Sequence, residues 1–440
     1  MAVGINPEKL EIICEIVEEY LTKYNHCFKH VAQKVYFRIY IQGLLSDLER
    51  KSVEPIALKY ANESSVRSLQ KFIKSSPMLD DELLYTYQRL ASETVAYEDG
   101  MITVDGCDFV KRGNESVGVS RQYCGTLGKK ESCQASVMIG YSGEKGYALI
   151  MNRLFMPKKW MSDDYADRRK KCGVPDDLKF QTKNEIASDL LNSVYKTELF
   201  RAKWVGADSA FGHDTKFLEA IPEGLYYVAN VHSDDMFYEE MPELTSPEWS
   251  GRGRKPVRLE INGTPKEVRN IIEENHLNWK KVEFGYGSKG LITGEEIILR
   301  VVDIRDGLPN KWVWLYARKW NDGNIKYMIS NAPEDTPPEK FRELSLRRWA
   351  IEQCFEECKS LLGMDHYEER SWNGWHRHVL IVCIAHLFLQ ILKNKFSANF
   401  DQLSKDGKKL FKQIKYRKKT KDCYPNNGDC TLFCANAFFI

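Results

Sequence analysis

From residue 7 to about 95, apolar residues recur at three- and four-residue spacing. PEKLEIICEIVEEYL, FKHVAQKVYFRIYIQGLL, RKSVEPIALKYA, NESSVRSLQKFIKSS and DDELLYTYQRLASE each carry one apolar stripe, which predicts amphipathic helices with no strand between them. Asn62 is placed to cap the helix after Ala61, and the short KYANESSV connection suits a helix-turn-helix. Val66, Leu69 and Phe72 would then face the core, with Ser64, Ser65, Arg67 and Lys71 turned outward. An ordinary helical bundle has the same pattern.

At Met101 the period changes. MITVDG, SVGVS, SCQASVMIGY and GYALIMNRLFMP are β-branched runs separated by turn residues, which predicts an antiparallel meander. A helix from Lys183 to Thr197, a buried strand AKWVGADS, a helix near Thr215 to Ala220 and a strand LYYVANV follow. Residues 235 to about 330 return to strands with turns such as EINGTP, FGYGSKG and KWNDGNIKY, and helical spacing resumes at Pro338. The run VLIVCIAHLFLQIL, from Val379 to Leu392, is too short to span a bilayer and carries His386, so it reads as a core helix.

Composition adds little beyond this. The 440 residues suffice for two or three domains, and 64 basic against 62 acidic side chains leave a formal net charge of +2, so any surface for a polyanion is local. One such stretch runs from Lys393 to Asp422, where eleven Lys or Arg stand against Asp401, Asp406 and Asp422. Twelve scattered cysteines without a CxxC, and no N-terminal apolar segment, place the expected compartment in a reducing cytosol. Cys423, Cys430 and Cys434 match no standard zinc spacing.

Two acids close apolar runs: Asp105 ends ITVDG and Asp208 ends KWVGADS. An ionised carboxylate against a hydrophobic strand loses hydration unless a cation or donor faces it, so two together suggest a metal. Each alone is also an ordinary turn cap. On the helix LSLRRWAIEQCFEECKSLLG, Trp349, Phe355, Leu361 and Leu362 form the expected buried side. Arg348, Glu352, Glu356 and Lys359 fall on another face, a stripe equally typical of an exposed ion-paired helix.

The spacing of Arg348, Glu352 and Lys359 resembles the YREK signature of cut-and-paste insertion-sequence transposases of the DDE superfamily, whose Glu is the third metal-binding acid. The blocks VDGCDFVKRGNESVGVSRQYCGTLGKKESCQ, KWVGADSAFG and RRWAIEQCFEECKSLLGMDHYEERSWNGWHRH resemble that group's three catalytic blocks, in the same order. Ser345 stands where the signature has Tyr. Asp108 is an alternative first acid, but Asp105 follows the β run directly.

The resemblance implies an α/β fold. A ribonuclease H-like mixed sheet flanked by helices (96–234 and 331–392) would be interrupted by a β-rich insertion (235–330), after an N-terminal all-helical DNA-binding domain (1–95) and before a basic tail (393–440). It implies a DNA transposase that cleaves transposon ends and transfers strands into target DNA. Asp105, Asp208 and Glu352 would be both its catalytic residues and the ligands of two Mg²⁺ ions, with Mn²⁺ as a substitute. Double-stranded DNA, as terminal inverted repeats and target, is the implied partner of a homodimer, with no membrane. The implied DNA contacts are Arg348, Lys359, Ser345, the loop residues Arg252, Arg254 and Lys255, and Arg67 and Lys71. A co-opted relative that binds DNA without cutting it is the rival reading.

Overall fold

The computed structural model describes residues 7–247, 259–287 and 290–396. The loop carrying Arg252, Arg254 and Lys255, and the chain beyond residue 396 with Cys423, Cys430 and Cys434, lie outside the described residues. Helices α1 (Pro7–Thr22), α2 (Val31–Leu44), α3 (Val53–Tyr60), α4 (Val66–Ser75) and α5 (Asp80–Val95) open the chain. Asn62 caps as expected: its side-chain oxygen accepts the Ser65 N–H at 2.9 Å, and Leu69 and Phe72 of α4 turn into the core.

The next elements are β1 (Met101–Val110), β2 (Ser120–Cys124), β3 (Lys129–Gly143), β4 (Gly146–Leu154), α6 (Ala166–Cys172), α7 (Lys183–Lys196), β5 (Trp204–Ala207), α8 (Ser209–Gly212), α9 (Thr215–Glu219) and β6 (Tyr226–Val231). SVGVS is not a strand; pairing begins only at Ser120. β4, β3 and β1 run antiparallel, whereas β1, β5 and β6 run parallel. This gives the order β4-β3-β1-β5-β6, the mixed sheet of a ribonuclease H-like fold. Strand β5 lies between two parallel neighbours and is buried on both faces, hence its unbroken apolar run WVGA.

Then come β7 (Met236–Phe237), β8 (Glu243–Thr245), β9 (Glu260–Asn262), β10 (Lys266–Glu267), α10 (Val268–Glu274), β11 (Lys280–Gly287), β12 (Gly290–Arg305), β13 (Leu308–Trp320) and β14 (Ile325–Ser330). Strand β14 pairs with β6, so β14, β13, β12 and β11 extend the central sheet rather than forming a separate one. Helix α10 interrupts a stretch read as strands; its buried face is Val268, Ile271 and Ile272.

The chain closes with α11 (Pro338–Arg347), α12 (Ala350–Ser360) and α13 (Trp372–Lys395). The one helix expected around Glu352 is two. At Arg348 and Trp349 the bonding tightens to three-residue closures, from Trp349 N–H to Leu346 O and from Ile351 N–H to Arg348 O. The buried face of α12 is Ile351, Cys354 and Cys358, with Trp349 51% exposed, so the helix is rotated from the expected orientation. Gly140 on β3 accommodates this packing: a Cβ there would sit 3.0 Å from the Ile351 side chain, tighter than an ordinary contact.

Helix α13 is the apolar helix anticipated from VLIVCIAHLFLQIL. It is long and apolar enough to cross a bilayer, yet 83% of its most apolar stretch is buried inside the protein. The N-terminal helices and the sheet pack around it in one continuous core. Tyr20 donates to the Ile384 carbonyl at 2.8 Å, and Tyr40 meets His378 Nδ1 at 2.9 Å.

Candidate active site

The parallel pairing of β1 with β5 runs from Met101 opposite Trp204 to Val104 opposite Ala207 and stops there. Asp105 and Asp208 are the next residues, so the two carboxylates stand side by side where β5 gives way to α8. Asp105 does not end its own strand; β1 continues to Val110 against β3. What ends at Asp105 is its neighbour. Asp208 caps α8, accepting the N–H groups of Ala210 at 3.1 Å and Phe211 at 3.3 Å. The turn-cap reading and the site reading therefore hold together.

Burial, then the charge of Asp208, push the Asp105 carboxyl up to about 8, against the pull of Arg348 and the Gly106 N–H. Asp208 is also raised, by burial, with Arg348 and its two backbone donors acting the other way. Asp108 is three residues along β1, on the opposite face, where its Oδ2 accepts the Gly125 N–H at 2.6 Å.

Arg348 joins the two halves of the site. It is 5% exposed; its Nη1 lies 3.6 Å from Asp105 Oδ2 and its Nη2 donates to Glu352 Oε1 at 2.7 Å. Among the described residues, Nη1 makes no hydrogen bond. Gly206 on β5 makes the room, since a Cβ there would be 3.2 Å from Arg348 Cγ and 3.0 Å from Met101 Sδ. From Arg348, α12 runs beside β1, and Lys359 reaches the Asp108 carbonyl at 3.0 Å and lies over the Phe109 ring. Lys359 is thus held by β1 rather than by Glu352 or Glu356.

With this geometry in hand, comparison with known proteins is decisive: the family model of the DDE superfamily endonucleases matches residues 23–291. The chain belongs to the DDE superfamily endonucleases. It is also 23% identical over 366 residues to the probable transposase for insertion sequence element IS701 of Microchaete diplosiphon, across 82% of this chain and 84% of that protein. The family match includes both aspartates and ends before Glu352, so the third acid rests on its place beside Arg348.

In this endonuclease the cationic residues divide sharply. Arg67 and Lys71 are exposed on the outer side of α4. Ser345, expected to touch DNA, is instead 1% exposed: its hydroxyl donates to the Arg342 carbonyl and accepts from Arg318 Nη1 at 3.0 Å. A small side chain at the α11–sheet contact is simply covered.

Sequence reading missed Arg318 and Lys326. Across the sheet, Asp208 is level with Asn230, Asn230 pairs with Met328, and Met328 pairs with Tyr316. Two residues on, along β13 and β14, Arg318 pairs with Lys326, so both lie on the face of the carboxylates. Burial and the guanidiniums of Arg318 and Arg348 pull the Lys326 ammonium down, while Glu352 acts to raise it. The signal needed was the strand register of the insertion, which no local pattern supplies.

Members of this superfamily use divalent metals, and the residues here fit one by donor chemistry. Two crowded, buried carboxylates with a raised proton affinity form a hard-oxygen site that a divalent cation would relieve. Among the described residues, however, no three His, Cys, Asp or Glu side chains are gathered at ligating distance, because Arg348 stands between Asp105 and Glu352.

Proposed function

We propose that the chain is a transposase that cleaves DNA at the ends of an insertion sequence and joins the freed ends to target DNA. The observation carrying this reading is the side-by-side Asp105 and Asp208 on parallel strands, with Glu352 tied to them through Arg348. The likeness to a probable insertion-sequence transposase over most of both chains supports it.

Asp105, Asp208 and Glu352 would hold two Mg²⁺ ions, with Mn²⁺ as a substitute; when bound, these activate the attacking hydroxyl and stabilise charge on the leaving oxygen. The chain's own residues prepare that state. Arg348 neutralises the carboxylates while DNA is absent. A phosphate beside it offers a better bidentate partner, so Arg348 exchanges Glu352 for phosphate and frees the Glu352 carboxylate to turn toward the aspartates. Lys359 adds a cation further along the same groove. The same three acids serve water attack at the element end and then attack by the freed 3′-hydroxyl on target DNA.

Arg67 and Lys71 on α4, and Arg252, Arg254 and Lys255 on their loop, would contact the backbone of terminal repeats and target. Two ends must meet, so the active form is a homodimer on DNA. The decisive experiment is cleavage of a labelled duplex, taken from the genomic sequence flanking the coding region, by wild type and Glu352→Gln. Metal-dependent nicking that EDTA and the substitution both abolish, with binding retained, is the expected result. Binding without nicking by wild type in either Mg²⁺ or Mn²⁺ would favour the rival, a co-opted DNA-binding protein.

A further inference from the structure

Arg318 is a buried cation without a counter-ion. It is 7% exposed, and among the described residues no carboxylate lies within ion-pair distance of it. The nearest acid on the neighbouring strand, Glu296, is committed elsewhere: it accepts from Arg342 Nε at 2.9 Å and from the Tyr316 hydroxyl at 3.2 Å. Of the three guanidinium nitrogens of Arg318, Nη1 donates to Ser345, Nε is buried with no hydrogen-bond partner, and Nη2 has no partner within the described protein. The plane is held in place, with its carbon 4.7 Å from the Trp320 ring centroid.

A second buried arginine lies nearby. Among the described residues Arg348 Nη1 faces Asp105 at 3.6 Å but makes no hydrogen bond; burial, and then the charge of Arg348, pull the Arg318 guanidinium below its usual range, with Glu352 acting the other way. Two like charges brought together out of water, each with idle N–H donors, are unfavourable unless an anion sits between or beside them. Glu352 and Asp105 face Arg348, and Glu352 also acts favourably on Arg318 from a distance, but among the described residues no acid hydrogen-bonds Arg318.

Resting on the transposase reading, we propose that Arg318 and Arg348 together form a binding site for one backbone phosphate of the DNA end. Arg318 comes from the strand insertion and Arg348 from the junction before the Glu352 helix. The site links these two parts of the chain through the ligand. Ser345 gains a role from this: where the transposase signature has Tyr, a buried hydroxyl accepts from Arg318 Nη1 at 3.0 Å. Arg318 thus supplies the polar group on that side of the site. A phosphate suits the pair better than a carboxylate because it carries several acceptor oxygens and can meet two guanidiniums at once.

The test uses duplexes from the flanking genomic DNA in which single phosphates are replaced, one at a time, by neutral methylphosphonates. In wild type, one linkage near the cleaved bond should weaken binding by about 10-fold or more when neutralised. In Arg318→Gln that linkage should no longer matter, and the dependence of log affinity on log salt should become shallower by about one. A thermal melt confirms that the variant is folded. If it is not, Ser345→Ala removes only the oxygen holding Nη1 and should reduce the effect of the same linkage to a few-fold.

A folded Arg318→Gln with the wild-type salt slope and linkage profile overturns the inference, as does a wild-type profile in Ser345→Ala where Arg318→Gln does not fold. Those results leave the transposase reading intact provided that wild type still cleaves. A wild type that binds none of the duplexes overturns both.

Discussion

Two regions of this endonuclease bury charged and titratable groups, and they treat them in opposite ways. At the contact between α13 and the N-terminal helices, Arg377 uses every guanidinium nitrogen: Nε and Nη2 each donate to Asp80 at 2.7 Å, and Nη1 faces the carbonyls of Phe72 and Ile73 at the end of α4. His378 beside it is equally occupied, with Nδ1 on the Tyr40 hydroxyl and Nε2 on the Met364 carbonyl. At the ends of the central strands and on the same face of the sheet, Arg348 and Arg318 keep idle donors, and Asp105 and Asp208 crowd each other. Satisfied polar groups fix a unique packing; the idle donors of Arg348 and Arg318 differ from other unpaired buried atoms in lying on the face of the carboxylates.

The largest effect expected from this contrast is on chemistry. Asp105→Asn should lower cleavage by about 10³-fold or more, measured on the labelled duplex. It should also raise the melting temperature of the metal-free protein, because it removes an acid whose charged form is disfavoured in the folded state by burial and by Asp208. Cleavage retained within tenfold would mean that Asp105 is not part of the reacting site.

Next in size is a matched pair of substitutions. Arg348→Met should reduce cleavage per folded molecule by about 10²-fold or more; removing the cation that faces Asp105 and Asp208 also costs about 2 kcal/mol of stability, limited by proton uptake at Asp105. Arg377→Met should cost about 2 kcal/mol of stability, because α4 and α5 lose a shared partner, and leave cleavage per folded molecule unchanged. Urea unfolding and active-site-normalised cleavage measure both. If the two variants exchanged effects, the contrast between poised and satisfied groups would collapse.

The same contrast gives the two regions opposite responses to pH. His378 is kept neutral by burial, with its pKa lowered to about 4, whereas an unfolded histidine titrates near 6.5. Below about pH 6.5 the unfolded chain binds the extra proton, so this region loses stability as pH falls toward 4, by about 2 kcal/mol at pH 5. Asp105 works the other way. Its raised carboxyl keeps a proton in the metal-free folded state that the unfolded state has released, so stability falls as pH rises from the ordinary carboxylate range through about 8. In chemical unfolding across pH, His378→Gln should flatten the acid limb alone and Asp105→Asn the alkaline limb alone.

The sequence discloses these regions unevenly, for physical reasons. Asp105 and Asp208 are legible because an acid following an apolar run is a local pattern, and a strand buried on both faces announces itself in WVGA. Glu352 is legible only through its spacing from Arg348 and Lys359, since periodicity alone put Trp349 on the wrong side of its helix. That face packs closely on Gly140, two hundred residues earlier in the chain and invisible to any helical stripe. Arg318 is illegible for the same reason. Its neighbours are assigned by the register of β13 with β14 and of β14 with β6, and a slip of one residue would turn it to the other face. Helix α10 is hidden by its shortness, two turns within a strand-rich stretch.

The smallest effect expected concerns α4, which belongs to both regions at once. Its inner side, Leu69, Phe72 and Ile73, is buried, and Arg377 holds its last carbonyls, whereas Arg67 and Lys71 stand one turn apart on the exposed side with no ion pair among the described residues. Cations that contribute nothing to packing are free to meet phosphate, each releasing about one counterion. Arg67→Gln and Lys71→Gln should therefore each weaken duplex binding by only a few-fold, and equally for flanking and unrelated sequences, with unchanged melting temperature and a salt slope shallower by about one. A loss confined to the flanking sequence would instead make α4 a reader of base edges, in the manner of a helix-turn-helix. No change at all would leave the helix as part of the scaffold, and the satisfied region would then extend to the protein surface.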